Sequence, residues 1–325
     1  MLPRLRLENP LRSRRSLSSS YSPGRSRSVL RPRFSRASSK YLLFAALVAP
    51  IVVLRGFGAA YPIADAIRLS FTNLSVLEGT NEYVGFENFR NLWDDTVFRE
   101  AVKFTLIFVI VSTLLELVLG LFVALLLNAS FRGRRFARAI NFIPWAIPTI
   151  VAAYTFQWLL DDQFGLIPQL VDSVSGHQIL PLVSASGAQI SLILVNVWKN
   201  TPFIAIVFLA GLQGVPEELY EAAKVDGAGA WQRLRGITVP MMMPLVVVMG
   251  MFLVVWQLAS FDLIYGLTSG GPGSATTVLS LRVFQEGLQF FKFGYAAAIS
   301  VVLLLIVAIV GLVGVLLSRR VDVKL

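Results

Sequence analysis

Few side chains in this sequence are able to do bond-making chemistry. The chain of 325 residues has no cysteine, which excludes a thiolate nucleophile, a disulfide and a cysteine metal site. Its single histidine, His177, stands in a polar loop, where a solvated side chain is the expected role. No G-x-x-x-x-G-K-[ST] sequence occurs, so this chain cannot by itself bind and hydrolyse ATP as a P-loop protein does. We therefore predict no catalytic residue, no metal site and no cofactor bound by this chain, which we expect not to be an enzyme.

The chemistry that the residue types do favour is recognition, at residues 216–240, PEELYEAAKVDGAGAWQRLRGITVP. This polar segment separates two long apolar runs in a chain whose mean hydropathy is +0.69. Its first residue, a proline, suits a helix start, and Glu217 and Glu218 place negative charge at the positive end of the helix dipole. Gly227 can end that helix in the left-handed conformation, before a second short helix around Trp231. The pattern predicts a helix-turn-helix knob that docks into a cleft of another protein; an amphipathic helix on the membrane surface is the alternative.

The elements that must hold this knob are apolar. Hydrophobic residues make up 55% of the chain, and several runs exceed the roughly 20 residues needed to cross a bilayer. The sequence predicts an all-α membrane protein with six transmembrane helices, at residues 41–63, 102–127, 139–160, 189–212, 241–261 and 294–317. Pro144 and Pro148 predict a kinked or irregular third span, and Pro202 an interrupted fourth span. The predicted parts are a tail at 1–40, a membrane domain at 41–317 and a C-terminus at 318–325.

Four charged residues lie within or at the edge of the predicted spans: Arg55, Lys103, Glu116 and Lys199. Arg55 in the first span has a side chain long enough to reach the outer interface. Glu116 in the second span must be protonated, paired or turned to a polar channel, because an isolated buried carboxylate is costly. Lys199 in the fourth span is a candidate partner for it.

The distribution of positive charge predicts the orientation in the membrane. Of the 29 Lys and Arg, 21 lie in residues 1–40, 128–138, 216–240 and 318–325, all on one side of the six spans. The positive-inside rule makes that side cytoplasmic, so we expect a multi-pass protein of the cytoplasmic membrane with both termini in the cytoplasm. The Ser- and Arg-rich tail is predicted to be disordered and to lie on anionic membrane lipid. Topology already explains its charge, so we expect no nucleic-acid partner.

Several motifs resemble one family of membrane proteins. Glu221-Ala222-Ala223, Gly227, Ile237 and Val239-Pro240 resemble the EAA loop of the membrane subunits of binding-protein-dependent ABC importers, with Val239 in place of the family's leucine. Phe71-Thr72-Asn73 and the stretch from Tyr83 to Phe89 are similar to segments of sugar-importing permeases in that family. So is Leu267-Thr268-Ser269-Gly270-Gly271-Pro272, in which Ser269 replaces a glycine.

This resemblance implies a type I ABC importer permease fold, with the EAA loop seated in a groove of a separate ATPase subunit. The residues it assigns to that contact are Glu217, Glu218, Glu221, Ala222, Ala223, Asp226, Gly227, Trp231 and Pro240. The implied partners are an ABC ATPase dimer that uses ATP and Mg, a second homologous permease and an extracytoplasmic solute-binding protein.

The resemblance covers about residues 41 to 317 and implies the import of a sugar, with a di- or oligosaccharide expected first and glycerol phosphate diesters or polyols as alternatives. A sugar requires hydrogen-bonding groups and flat apolar faces, which Tyr154, Gln157, Trp198, Asn200 and Gln257 offer to a substrate path. Each of these is alternatively a helix–helix contact or an interfacial anchor. An ion-driven secondary transporter is the alternative from another class, although the sequence shows no convincing inverted repeat. A non-transporting scaffold is disfavoured by the EAA loop.

Overall fold

The computed structural model describes residues 36–321, with side chains for residues 44–316. Within that range the regular structure is helical, which confirms the predicted all-α class. The α-helices are α1 (Arg36–Leu69), α2 (Glu87–Asp94), α3 (Thr96–Asn128), α4 (Arg134–Ala146), α5 (Thr149–Leu159), α6 (Leu166–Ser175), α7 (Ala185–Gln213), α8 (Glu217–Val225), α9 (Ala230–Arg233), α10 (Val239–Leu258), α11 (Asp262–Leu267), α12 (Leu279–Phe284) and α13 (Phe293–Val321). Two π-helical segments, Leu234–Thr238 and Gln285–Gln289, complete them. Residues 1–35 of the predicted tail and residues 322–325 of the predicted C-terminus lie outside the described residues. Residues 36–40, which were predicted to belong to a disordered tail, instead form the start of α1.

Six spans are present when a broken pair of helices is taken as one. Five stretches are long and apolar enough to cross a membrane: Phe44–Leu69, Thr96–Asn128, Ala185–Gln213, Ala230–Leu258 and Phe293–Leu316. The pair α4 and α5 forms the sixth, with a bend of 89° between its two helices. The predicted number of spans is therefore confirmed. In the first span none of the side chains of residues 44–57 is buried, and Arg55 is exposed.

The break in the third span lies at Ile147 and Pro148. Ile147 is extended (φ −70°, ψ 131°), because the ring of a following proline disfavours the helical conformation. Pro148 is extended as well (φ −54°, ψ 136°) and precedes the first residue of α5. Pro144 is accommodated inside α4. The predicted kink is thus confirmed, and the proline at the break is Pro148.

Two predicted boundaries were wrong. The fourth span is not interrupted at Pro202, since α7 runs without a break from Ala185 to Gln213. Most of α7 is buried against its neighbours. This packing keeps the helix continuous although Pro202 cannot donate a backbone hydrogen bond. The fifth span does not begin near residue 241, because α9, the first π-helical segment and α10 form one continuous apolar helix, Ala230–Leu258. Trp231 therefore belongs to the first turn of the fifth span.

The core of the membrane domain is built on the packing of α3 against α7. Phe108 of α3 and Leu192 of α7 are fully buried in one cluster, and Phe208 is fully buried in the next. At Gly120 the two helices approach so closely that a Cβ atom would lie 2.6 Å from Cγ2 of Ile204. Small residues allow such contacts between membrane helices, where dispersion forces rather than water exclusion stabilise association.

An ion network joins three helices at the end of the bundle opposite residues 216–240. Asp95 caps the start of α3, where its Oδ1 accepts hydrogen bonds from the backbone N–H groups of Val97 (2.8 Å) and Phe98 (3.2 Å). Its Oδ2 accepts hydrogen bonds from the guanidinium of Arg282 (3.1 Å) and the hydroxyl of Tyr295 (2.8 Å). The same Arg282 lies 2.6 Å from the carboxylate of Glu286.

The two carboxylates of this network respond differently to their surroundings. Burial alone would raise the pKa of Asp95, but the hydrogen bonds from Tyr295, the Phe98 N–H and Arg282 outweigh it and hold that pKa below its ordinary value. Burial raises the pKa of Glu286 above its ordinary value, because the nearby positive charge of Arg282 only partly offsets desolvation. The surroundings therefore favour the ionised form of Asp95 and the protonated form of Glu286, each relative to the free side chain.

The glycine-rich turn after α11 requires left-handed backbone at successive residues. Ser269 has φ 51° and Gly270 has φ 90°. Ser269 stands where the sequence motif has a glycine, and its Oγ donates a hydrogen bond to the carbonyl of Tyr265 (2.9 Å). At Gly270 a Cβ atom would lie 2.7 Å from Oγ1 of Thr277, so a side chain is excluded by space as well as by φ.

Candidate functional site

The polar segment 216–240 forms the predicted knob, in modified form. Helix α8 begins after Pro216 and ends at Val225, with Glu217 and Glu218 in its first turn. Gly227 follows with φ +79°, the left-handed conformation expected at a helix end. The second half differs from the prediction, because α9 continues into the fifth span rather than forming a separate short helix.

Internal hydrogen bonds fix the backbone of this segment. The hydroxyls of Tyr220 and Thr238 lie 3.0 Å apart and join α8 to the base of the fifth span. The side chain of Gln232 accepts a hydrogen bond from the N–H of Gly229 (2.6 Å) at the start of α9. The backbone N–H of Ala228 donates to the carbonyl of Ala223 (2.8 Å) and closes the end of α8. These hydrogen bonds hold α8 and the start of α9 in place.

The outer side of the knob is exposed and partly apolar. Helix α8 has no buried residue, and the exposed fractions are 42% for Leu219, 88% for Val225 and 71% for Trp231. Among the residues that the resemblance assigns to the ATPase contact, Ala223 is partly buried. The others are exposed: Glu217, Glu218, Glu221, Ala222, Asp226, Gly227, Trp231 and Pro240. A tryptophan and two aliphatic side chains beside acidic residues form a surface suited to a protein partner.

A cavity of about 730 Å³ lies where the break in the third span meets α7 and α10. Aromatic rings contribute much of its wall, from Trp145, Phe252, Trp256 and Phe261. Its polar side chains are Thr149, Asn196, Lys199, Asn200, Ser260 and Asp262. Flat apolar rings interspersed with hydrogen-bonding groups can bind a polar organic solute.

Glu116 is fully buried and is hydrogen-bonded by three amides, not by Lys199 as the sequence suggested. Its Oε1 accepts hydrogen bonds from Nδ2 of Asn196 (2.9 Å) and Nδ2 of Asn200 (3.3 Å). Its Oε2 accepts from Nε2 of Gln257 (3.0 Å). The cluster joins α3, α7 and α10 beside the cavity.

Lys199 instead binds the backbone at the break in the third span. Its Nζ donates to the carbonyl oxygens of Ile147 (2.7 Å) and Trp145 (3.3 Å). These carbonyls lie at the C-terminal end of α4, where no following turn of helix satisfies them and where the helix dipole favours a cation. Lys199 therefore needs no carboxylate partner, because its ammonium group caps a helix end.

The five residues predicted to line a substrate path do not meet at one place. Asn200 lines the cavity, and Gln257 is buried behind it against Glu116. The indole of Trp198 packs edge-on against Phe156, with 4.9 Å between ring centroids. Tyr154 is exposed and Gln157 is partly buried on α5, and neither lines the cavity. Trp145, Asn196, Trp256 and Ser260 were missed, although the four-residue spacing of the two asparagines on one helix face was a usable signal.

Residues 116–323 match the family described as the inner membrane component of binding-protein-dependent transport systems. The chain belongs to this family. It is 35% identical over 263 residues to the sulfoquinovosyl glycerol transport system permease protein SmoG of Agrobacterium fabrum, which covers 81% of this chain and 85% of that protein. It is 33% identical over 275 residues to the trehalose/maltose transport system permease protein MalF of Thermococcus litoralis, which covers 85% of this chain and 92% of the relative.

A solved structure shows the same architecture. One chain of a bacterial alginate ABC transporter, in complex with its alginate pentasaccharide-bound periplasmic protein, superposes with a TM-score of 0.76 at 25% identity. The match covers 87% of this chain and 96% of that one. This binding-protein-dependent permease therefore has the ABC importer fold, as predicted, and it is an inner membrane component of a transport system.

Proposed function

We propose that this permease is the subunit through which an ABC importer moves a carbohydrate, in the first instance a di- or oligosaccharide, across the cytoplasmic membrane. The exposed apolar surface of Leu219, Val225 and Trp231 is the observation that supports it most directly. A transport subunit without a P-loop needs an external ATPase, and this surface offers one a rigid place to bind. We propose that the chain itself has no enzymatic activity.

The composition of the cavity supports a sugar as substrate. Trp145 and Trp256 offer flat faces to the apolar side of a sugar ring, and Asn200 offers hydrogen bonds to hydroxyls. Lys199 uses two of its three N–H donors on backbone carbonyls and retains one for a ligand. The relatives named for sulfoquinovosyl glycerol and for trehalose and maltose support the same class of substrate. No observation favours a phosphodiester, a polyol or ion-driven transport over it.

The proposed assembly has four kinds of component. An ABC ATPase dimer binds ATP and Mg and contacts residues 216–240 of this chain. A second, homologous permease completes the pathway, and an extracytoplasmic solute-binding protein delivers the sugar, as the periplasmic protein in the alginate transporter structure suggests. We further propose that residues 216–240 and both termini face the cytoplasm.

The continuity of the fifth span suggests how force enters the membrane. When the ATPase dimer closes, it displaces α8, which is joined to Thr238 through Tyr220. Because α9 and α10 are one helix from Ala230 to Leu258, the displacement is transmitted along the fifth span to Trp256 in the cavity wall. Coupling of this kind opens the cavity to one side of the membrane at a time.

A matched pair of glycines tests the coupling. Gly227→Val places a side chain at φ +79°, and Gly133→Val does so at φ +89°, and neither new Cβ atom meets another atom within 4 Å. The backbone strain is therefore similar, but only Gly227 lies in the proposed contact with the ATPase. In proteoliposomes with the complex purified on a tag on this chain, we expect Gly227→Val to lower sugar-dependent ATP hydrolysis and uptake more than tenfold. Equal losses in the two variants would refute coupling through this segment.

The substrate is tested with the same complex and its solute-binding protein. Uptake is measured for sulfoquinovosyl glycerol, trehalose, maltose and diacetylchitobiose, with an amino acid as the control solute. We expect ATP-dependent uptake of at least one carbohydrate and none of the amino acid. Uptake that depends on a proton or sodium gradient, and not on ATP, would overturn the proposal.

A further inference from the structure

Glu116 organises the hydrogen-bonding groups of the cavity wall, although it does not itself line the cavity. Its carboxylate accepts amide N–H groups from two helices other than its own, and its side chain is fully buried. A buried carboxylate is retained only where its surroundings supply hydrogen bonds, and here these come from amides of α7 and α10.

The hydrogen bonds within the cluster determine which amide groups of Asn196 and Asn200 remain for a ligand. The Nδ2 of Asn200 has two N–H donors, one directed at Oε1 of Glu116 (3.3 Å) and the other at Oδ1 of Asn196 (3.0 Å). Its donors are used within the cluster, so Oδ1 is the group that Asn200 retains for the cavity. The Nδ2 of Asn196 donates to Glu116, and its Oδ1 accepts from Asn200, which fixes this amide as well.

We infer that Glu116 is a positioning residue that fixes the amide of Asn200 with its oxygen available to substrate, so that Asn200 selects a solute hydroxyl that donates a hydrogen bond to it. The inference rests on the proposed function, because it specifies how the proposed carbohydrate is recognised. An amide that was free to turn would offer either a donor or an acceptor and would discriminate less between substituents. Without Glu116 the specificity of this position should therefore fall.

Two substitutions separate the hydrogen-bonding role from the charge. In Glu116→Gln the new Oε1 can still accept from Asn196 and Asn200, and the new Nε2 faces Gln257. The Oε1 of Gln257 is buried with no hydrogen-bond partner among the described residues, so a turn of that amide would satisfy both groups. Glu116→Leu has a similar size but accepts no hydrogen bond, so it releases both asparagines.

The test uses whichever sugar of the panel is transported, together with analogues in which one hydroxyl at a time is replaced by fluorine. Fluorine is small and does not donate a hydrogen bond. For the hydroxyl that meets Asn200, we expect kcat/KM of uptake by the wild type and Glu116→Gln to fall about tenfold with the fluoro analogue. We expect Glu116→Leu to raise KM for the parent sugar about tenfold, with little change in kcat, and to reduce the discrimination to less than about threefold.

Other results would overturn the inference. If Glu116→Gln is impaired as severely as Glu116→Leu, the charge is required and positioning is not its role. If Glu116→Leu retains the wild-type discrimination, Glu116 does not set the specificity. If Glu116→Leu does not fold, Asn200→Ala is measured in its place. The inference requires Glu116→Gln to keep the discrimination between the sugar and its fluoro analogue and Asn200→Ala to lose it. An Asn200→Ala variant that keeps this discrimination would contradict the inference. Failure of the wild type to transport any sugar would refute the proposed function instead, so the two failures are distinguishable.

Discussion

At the scale of single residues, Lys199 shows how a cation is held within a membrane span. Its ammonium group binds the carbonyls of Trp145 and Ile147, where α4 ends against the break at Pro148. The broken helix leaves carbonyl oxygens without intrahelical partners within a membrane span, and a lysine from the neighbouring span satisfies them. The residue therefore stabilises the shape of the cavity as well as lining it.

Replacing Lys199 with methionine should destabilise the protein. Methionine has similar length but no N–H donor, so two carbonyls at the break lose their hydrogen bonds. We expect Lys199→Met to lower the free energy of unfolding by about 1–3 kcal/mol, measured by denaturant unfolding in detergent. Lys103→Met, at an exposed lysine of α3, is the control and should stay within about 0.5 kcal/mol of the wild type. An equal effect at both positions would contradict the capping role.

Two glycines of the turn after α11, Gly270 and Gly273, separate the effect of steric overlap from that of left-handed backbone. Gly270→Ala adds a Cβ atom 2.7 Å from Oγ1 of Thr277, whereas Gly273→Ala, at φ +61°, meets nothing within 4 Å. Both variants bear the cost of left-handed backbone, about 1–2 kcal/mol, and only the first adds an overlap. We therefore expect Gly270→Ala to have the lower thermal unfolding midpoint. Equal midpoints would show that Thr277 moves aside freely.

Sequence reasoning identified Glu116 and Lys199 as residues that need partners, but it paired them wrongly. A sequence shows that a charge is buried in an apolar run, because that follows from its neighbours. It does not show which groups from other helices satisfy the charge, since a backbone carbonyl or an amide serves as well as an opposite charge. Of the residues predicted for a substrate path, Asn200 lines the cavity and Tyr154 does not, because the rotation of α5 is set by its packing and not by its composition.

At the scale of elements, the ion network of Asp95 fixes the start of α3 against α12 and α13. Asp95→Asn keeps an oxygen to cap the helix but loses the negative charge that pairs with Arg282. We expect this variant to be less stable than the wild type by about 1–3 kcal/mol at pH 7. The neighbouring Asp94→Asn is the control, because that residue is exposed at the end of α2.

The stability that the Asp95 network contributes depends on pH. The pKa of Asp95 is lowered in the folded protein, so its pairing adds stability above the pH at which the unfolded residue titrates, about pH 4. That stability is lost as pH falls through the folded pKa. The pKa of Glu286 is raised, so its contribution is present at low pH and is lost as pH rises. The difference between Asp95→Asn and the wild type should therefore shrink from pH 7 towards pH 3, and a constant difference would contradict the assignment.

The prolines show what sequence can predict about a membrane helix. Pro148 produced the predicted break, whereas Pro202 lies inside an unbroken α7. The rule is the same for both residues, since each removes one backbone donor and crowds the preceding turn. The difference lies in the surroundings: Lys199 caps the helix end that precedes Pro148, while the turn around Pro202 is buried against other helices. Tertiary packing therefore decides whether a proline ends a span.

At the scale of the whole molecule, the segment 216–240 and the ion network of Asp95 lie at opposite ends of the spans. The fifth span leads from the exposed Trp231 to Trp256 in the cavity wall, so one continuous helix connects the proposed ATPase contact with the proposed substrate site. The distribution of the 29 Lys and Arg predicts that the 216–240 end is cytoplasmic. An ATPase can act on this protein only if that orientation is correct.

The orientation can be tested directly, because the chain contains no cysteine. Lys224→Cys introduces a thiol on α8, and Glu78→Cys introduces one at the opposite end, and both positions are exposed. We expect a membrane-impermeant maleimide to label Glu78→Cys in intact spheroplasts and Lys224→Cys only in inside-out vesicles. The unsubstituted chain is the control for background labelling in both preparations. Labelling of Lys224→Cys from the outside would place the knob away from ATP, and coupling through residues 216–240 would then be physically impossible.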